Sequence, residues 1–96
     1  MLILITYDVS TVDAEGKARL RKVAKACQNY GVRVQNSVFE CVVDYVQYME
    51  LKDKINNLID KKADSVRYYN LGKNGRIKVT HVGAKLALNV EAPIIV

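Results

Sequence analysis

The chain holds a single histidine and two cysteines, and none of its apolar runs approaches the roughly 20 residues that span a bilayer. With His81 alone, catalysis within one chain cannot use a histidine pair. Its place in a strand near the C-terminus suits a structural or surface role better than a catalytic one. Cys27 and Cys41 share no metal-type spacing and lie among apolar neighbours, which points to buried free thiols and away from a disulfide or zinc site. A Ser-His-Asp set, a Gly-rich phosphate loop and an HExxH pair are missing as well. The apolar start has no basic stretch and no small-residue cleavage site, so it reads as a strand and not as a signal peptide. Without repeats, low-complexity segments or linkers, the expectation is one cytoplasmic domain with no membrane segment.

What is present is a 96-residue chain, half of it apolar, with a net charge of +5. That is enough for a modest core, though an oligomer would help a chain this short. The distribution of charge says more than its sum. Lys17, Arg19, Arg21, Lys22, Lys25 and Arg33 lie between Glu15 and Glu40 with no acid among them. A local basic surface of this kind is the expected footprint of a phosphate backbone, although a solvated helix face would look similar.

The first eight residues, Met1 to Asp8, read as a strand. Alternation sends Leu2, Leu4, Thr6 and Asp8 to one face and Ile3, Ile5 and Tyr7 to the other. Both faces are apolar until the end, so this strand is expected at the centre of a sheet and covered on both sides. A polar loop from Ser10 to Gly16 follows, with Asp13 as N-cap. A helix then runs from Lys17 to about Tyr30, its core side formed by Leu20, Val23, Ala24, Cys27 and Tyr30. Gly31 suits a left-handed C-terminal cap.

Val32 to Gln35 and Val38 to Val43 read as strands around a Gln35-Asn36-Ser37 turn, with Phe39, Cys41 and Val43 sharing a face. Asp44 and Gln47 have capping-box spacing, and a second helix to about Lys62 buries Tyr48, Leu51, Ile55, Leu58 and Ile59. The outer face of that helix, with Glu50, Lys52, Asp53, Lys54 and Asp60, mixes both signs and suggests no site. Strands from Ser65 to Leu71 and from Arg76 to Val82 flank a Gly72-Lys73-Asn74-Gly75 turn, and an apolar tail ends the chain after Pro93. The order β-α-β-β-α-β with an added C-terminal strand predicts an α+β, ferredoxin-like sandwich over residues 1–83, with 84–96 as a tail packing on a partner subunit. One sheet face stays uncovered in such a plan, and a two-fold copy is the simplest cover, so a homodimer is expected.

Asp8, at the C-terminal tip of the central strand, is the candidate for chemistry. A lone aspartate there is also an ordinary turn former. A dimer axis near the strand tip would bring two such carboxylates together, and a cation between them would relieve their repulsion. Mg²⁺ suits that environment, because it accepts one or two carboxylates and keeps several waters. Arg33 and the Lys17 to Lys25 cluster would position a backbone, and the Ser37 hydroxyl could reach a phosphate or a metal-bound water. For Phe39, stacking on a base and plain core packing stand even.

The stretch Gly31-Val-Arg-Val-Gln-Asn-Ser-Val-Phe-Glu40, with Ile5-Thr-Tyr-Asp8 upstream and Arg19-Leu-Arg-Lys-Val-Ala-Lys25 between them, closely resembles the Cas-two family of CRISPR-associated proteins. The resemblance covers essentially the whole chain, and Ala24 to Gly31 is most like members from type I-C systems. It implies a ferredoxin-like homodimer in which Asp8 is the Mg²⁺ ligand, with Mn²⁺ able to substitute. It further implies endonuclease activity, on double-stranded DNA in some members and single-stranded RNA in others. On the resemblance Arg33 and Phe39 match positions of the family's motif and share a catalytic role with Asp8, while the reading of the residues adds Ser37 to that set and assigns nucleic-acid contacts to Lys17, Arg19, Arg21, Lys22, Lys25 and Arg33. The family dimer also bridges dimers of the CRISPR integrase subunit and holds the incoming spacer duplex, a role in which cleavage can be dispensable. Two alternatives stand beside it: a non-catalytic adaptor, and a messenger-cleaving toxin of the virulence-associated protein D type, which has a similar fold.

Overall fold

A computed structural model describes residues 1–72 and 78–84. Strand β1 (Leu2–Asp8) leads into helix α1 (Ala14–Gln28), strands β2 (Gly31–Gln35) and β3 (Val38–Val42), helix α2 (Tyr45–Leu58), and strands β4 (Ser65–Asn70) and β5 (Lys78–Gly83). The five strands form one sheet in the order β2-β3-β1-β4-β5, with every neighbouring pair antiparallel. This is the expected ferredoxin-like plan with an added strand, and β1 is central.

Period-two alternation explains why β1 takes that place. Ile3 and Ile5 have no exposed surface and Tyr7 only 6 %, and they share the core with Val23 and Cys27 of α1 and Leu51 and Ile55 of α2. Both helices therefore cover the Ile3-Ile5-Tyr7 face, where each fully buried isoleucine stabilises the fold by about 2 kcal/mol. Leu2 on the opposite face keeps 38 % of its surface exposed, so within one protomer the strand is covered on one side only. Phe39 and Cys41 are fully buried on the helix side, Val43 is nearly so, and the Tyr68 hydroxyl donates to Asn56 Oδ1 at 2.8 Å to satisfy itself within the core.

The helix ends depart from their expected positions for identifiable reasons. Asp13 caps α1 as anticipated by accepting from the Gly16 amide at 2.8 Å, but that bond makes Ala14 the first helical residue and places Gly16 inside the first turn. A Cβ on Gly16 would collide with the Ser10 carbonyl, so glycine is needed where the loop after β1 crosses the helix. Gly31 is not a left-handed cap. Asn29 ends the helix in right-handed geometry, and Gly31 opens β2 because a Cβ there would meet the Glu40 carbonyl and come within 2.9 Å of Cys41 Cα. The Asp44–Gln47 capping box is complete, with bonds of 2.8 and 3.0 Å. Helix α2 stops at Leu58, short of Lys62, because Ile59 turns extended and Asp60 leaves the helix face to accept from the Lys62 amide at 2.9 Å. Val42 closes β3 and Asn70 closes β4, one residue before the expected ends.

Lys73 to Ile77 and the tail from residue 85, with Pro93 and Ile94 to Val96, lie outside the described residues, as does the expected packing of that tail. Among the described residues no helix is long and apolar enough to cross a membrane.

Candidate metal and nucleic-acid site

Asp8 ends β1 on the sheet face that carries no helix. Cross-strand pairing lines up its neighbours there: Asp8 opposes Ser65, Thr6 opposes Arg67, and Arg67 in turn opposes His81. Paired residues of an antiparallel ladder point to the same face, so these side chains share one surface. Thr6, Asp8, Ser65, Arg67, Tyr69 and His81 line a shallow depression of about 330 Å³. Beyond it the same face turns apolar, with Val32, Val42 and Val79 at 68, 78 and 47 % exposure. The open face thus has a polar end around Asp8 and a mainly apolar remainder, in which the exposed Glu40 stands opposite Leu4 and Val32.

Asp8 is exposed, and among the described residues its carboxylate has no hydrogen bond or ion pair. Its backbone is well held. The Tyr7 amide donates to the Ser37 carbonyl at 3.1 Å on one side, and the Ser10 amide donates to Asp64 Oδ1 at 2.9 Å just beyond it. No group of three or more metal-ligating side chains exists among the described residues, and Asp8 is the one carboxylate among the described residues that line the depression.

Arg33 and Phe39, two of the other expected catalytic residues, do not join Asp8 on the open face. Arg33 opposes Phe39, which opposes Ile5, so both lie on the helix side of the sheet. The Arg33 guanidinium carbon sits 5.2 Å from the centre of the Phe39 ring, and Tyr7 stacks near that ring at 6.2 Å. Phe39 has no exposed surface, so it is a core residue and offers no face to a base. Burial raises the Tyr7 hydroxyl pKa, and the nearby Arg33 guanidinium tempers that rise. Ser37 is half-buried in the β2–β3 turn beside the β1 tip.

Lys17, Arg21, Lys22 and Lys25 are exposed along α1, on the helix side. Arg19 differs from them, because its Nε donates to the buried Asp64 carboxylate at 2.8 Å. Burial alone would raise the Asp64 pKa, but bonds from Arg19 and from the Asp60 and Ser10 amides outweigh it and hold the carboxyl below its ordinary value. Lys54 of α2, from the face that suggested no site, joins Lys22 and Lys25 around a groove of about 280 Å³ between the helices. Sequence reasoning missed Arg67 and Asp64. Arg67 shares strand parity with Ser65 and Tyr69, which was a usable signal, whereas nothing local singles out Asp64.

Comparison with known proteins gives a consistent picture. The family model described as CRISPR associated protein Cas2 matches residues 1–79. A protein of Halalkalibacterium halodurans named CRISPR-associated endonuclease Cas2 is 59 % identical over 95 residues, covering 99 % of each chain. One from Nitratidesulfovibrio vulgaris, named CRISPR-associated endoribonuclease Cas2, is 57 % identical over 99 % of this chain and 93 % of its own. The crystal structure of Streptococcus pyogenes Cas2 at pH 6.5 superposes with a TM-score of 0.71 at 53 % identity, covering 77 % of this chain and 89 % of that one.

Proposed function

The chain belongs to the CRISPR-associated protein Cas2 family, and from that premise we propose that it is a metal-dependent endonuclease that hydrolyses phosphodiester bonds at Asp8 as a homodimer. The observation that carries this reading is the Asp8 carboxylate itself: exposed, unpaired among the described residues, and fixed at a strand tip beside a depression. An unpaired carboxylate on a rigid backbone fits a hard divalent cation that keeps its waters, Mg²⁺ or in its place Mn²⁺. When bound, such an ion supplies Lewis-acid stabilisation of phosphate charge and an activated water. Asp8 would hold it, the Tyr7–Ser37 and Ser10–Asp64 bonds fix where Asp8 stands, and a second copy on the apolar open face would bring a second Asp8 near.

The exposed lysines and arginine of α1 favour an adaptor role alongside, in which the helix side holds spacer duplex and the dimer bridges the CRISPR integrase. Family membership takes the place of the toxin reading. Cleavage of plasmid DNA and of single-stranded RNA, with Mg²⁺, Mn²⁺ or chelator, tests the nuclease. Metal-dependent cutting that disappears in Asp8→Ala, with the dimer intact, is expected, and the polymer cut names the substrate. Cutting that survives in Asp8→Ala overturns the assignment, and no cutting with duplex still bound leaves the adaptor alone.

A further inference from the structure

We propose that Arg67, held in place by His81, binds the scissile phosphate of nucleic acid at the Asp8 site. This rests on Asp8 as the cleaving carboxylate. Arg67 opposes Thr6, and Asp8 opposes Ser65, so the carboxylate and the guanidinium stand diagonally on adjacent strands and line one depression. Diagonal neighbours in an antiparallel pair are about 7–8 Å apart at Cα, within reach of an arginine side chain, and a phosphate can lie between the two groups.

The guanidinium is oriented and yet unspent. It carries five N–H donors and no acceptor. Nε donates to His81 Nδ1 at 3.2 Å and Nη1 to the Tyr69 hydroxyl at 3.4 Å, which leaves three N–H bonds without a partner among the described residues. No carboxylate pairs with it there either, in contrast to Arg19, whose charge is met by Asp64. A half-buried, directed cation with spare parallel donors is built to take a phosphate by two hydrogen bonds. Because Arg67 is tied to His81 and Tyr69, it leaves the Asp8 carboxylate open to a cation.

His81 does the holding through a fixed tautomer. Arginine can only donate, so Nδ1 must accept, and the Ala84 carbonyl, 3.0 Å from Nε2, can only accept, so Nε2 carries the proton. Ala84 is itself anchored, since its amide donates to the Asp64 carbonyl at 2.9 Å. Gly83 makes that contact possible, with φ at 108° and no room for a Cβ against Asp64. His81 is therefore a positioning residue and Arg67 a catalytic one.

The experiment compares Arg67→Ala, Arg67→Lys, His81→Asn and His81→Phe in the full-length dimer. Arg67→Ala should lose about 100-fold in kcat with unchanged Mn²⁺ affinity, and added guanidinium below denaturing concentration should restore part of the rate. Arg67→Lys should fall between, and His81→Asn, whose amide oxygen can accept where Nδ1 did, should keep activity that His81→Phe loses. In an Asp8→Ala background, Arg67→Ala should reduce the salt slope of single-strand binding by about 0.7. Wild-type rate and salt slope in Arg67→Ala would overturn the proposal. So would tighter Mn²⁺ binding without guanidinium rescue, which would make Arg67 a counter-ion of Asp8. An Asp8→Ala protein that still cuts removes the Asp8 reading instead, and the salt slope then still decides whether Arg67 touches phosphate.

Discussion

Arg19 and Asp64, 45 residues apart in the chain, meet with Nε 2.8 Å from Oδ2, and the Asp64 carboxylate is fully buried. It also accepts from the amides of Ser10 at 2.9 Å and Asp60 at 2.8 Å. One side chain thus ties α1, the loop leaving β1 and the turn after α2 to the start of β4. Asp8 sits between two of these ties, two residues before Ser10 and opposite Ser65. The precision of the candidate site depends on this buried junction.

Asp64→Asn replaces one acceptor oxygen with a donor, which faces the Arg19 and Asp60 N–H groups in place of Oδ2 or the Ser10 amide in place of Oδ1. A loss of about 2 kcal/mol is expected for breaking charge-assisted bonds of this kind, a fall in Tm on the order of 10 °C. The pH dependence has a definite sign. The folded pKa lies below the unfolded value, so the stabilisation is complete above about pH 4 and is lost as pH falls toward the folded pKa. Thermal melts from pH 7 to pH 3 should show wild type and Asp64→Asn converging at the acid end. A constant gap would mean the carboxylate charge contributes nothing.

Much of this arrangement was legible because its causes are local. The alternation of Leu2 to Asp8 placed β1, and Asp13 and Asp44 are the helix caps their spacing suggested, although α1 begins at Ala14 and not at the expected Lys17. Arg19 was not distinguishable from Arg21 or Lys22, since its partner lies far along the chain and only the packed fold shows which cation meets it. The separation of Arg33 and Phe39 from Asp8 depends on the β2–β3 register, including a shift between Arg33 and Gln35, and no motif reports a register. The Arg67–His81 contact needs the β4–β5 pairing in the same way.

The two thiols should be inert in the native protein. Burial pushes Cys41 up to about 11, and burial together with the neighbouring Cys41 pushes Cys27 up to about 12. At pH 8 about one Cys41 in a thousand would be thiolate, the reactive form. A chromogenic disulfide reagent should therefore titrate neither cysteine in buffer and both in denaturant. Rapid reaction of the folded protein would contradict the buried placement.

The apolar open face should be an association surface. Val42 and Val32 are the most exposed of its aliphatic residues, and a charge there leaves the protomer core untouched. Val42→Glu is expected to keep the circular dichroism spectrum of wild type while sedimenting as a monomer at micromolar concentration. An unchanged dimer would move the interface elsewhere.

Duplex binding and cleavage should separate by mutation, because the sheet lies between the two surfaces. Lys22, Lys25 and Lys54 ring a groove between α1 and α2, whereas Asp8 opens onto the face without helices. A duplex held by those lysines through its phosphates cannot reach the Asp8 of the same protomer without passing round the sheet edge. Lys22→Glu with Lys25→Glu should therefore weaken duplex binding steeply at low salt and flatten its salt dependence, by a slope of about 0.9 for each phosphate that goes unneutralised. Cleavage of an oligonucleotide too short to span both faces should stay within about threefold of wild type, since base-independent phosphate binding on the helix side adds nothing to a strand bound on the other. Equal loss of both activities would mean that one continuous nucleic-acid path wraps the protein, and the helix groove would then belong to the cleavage site.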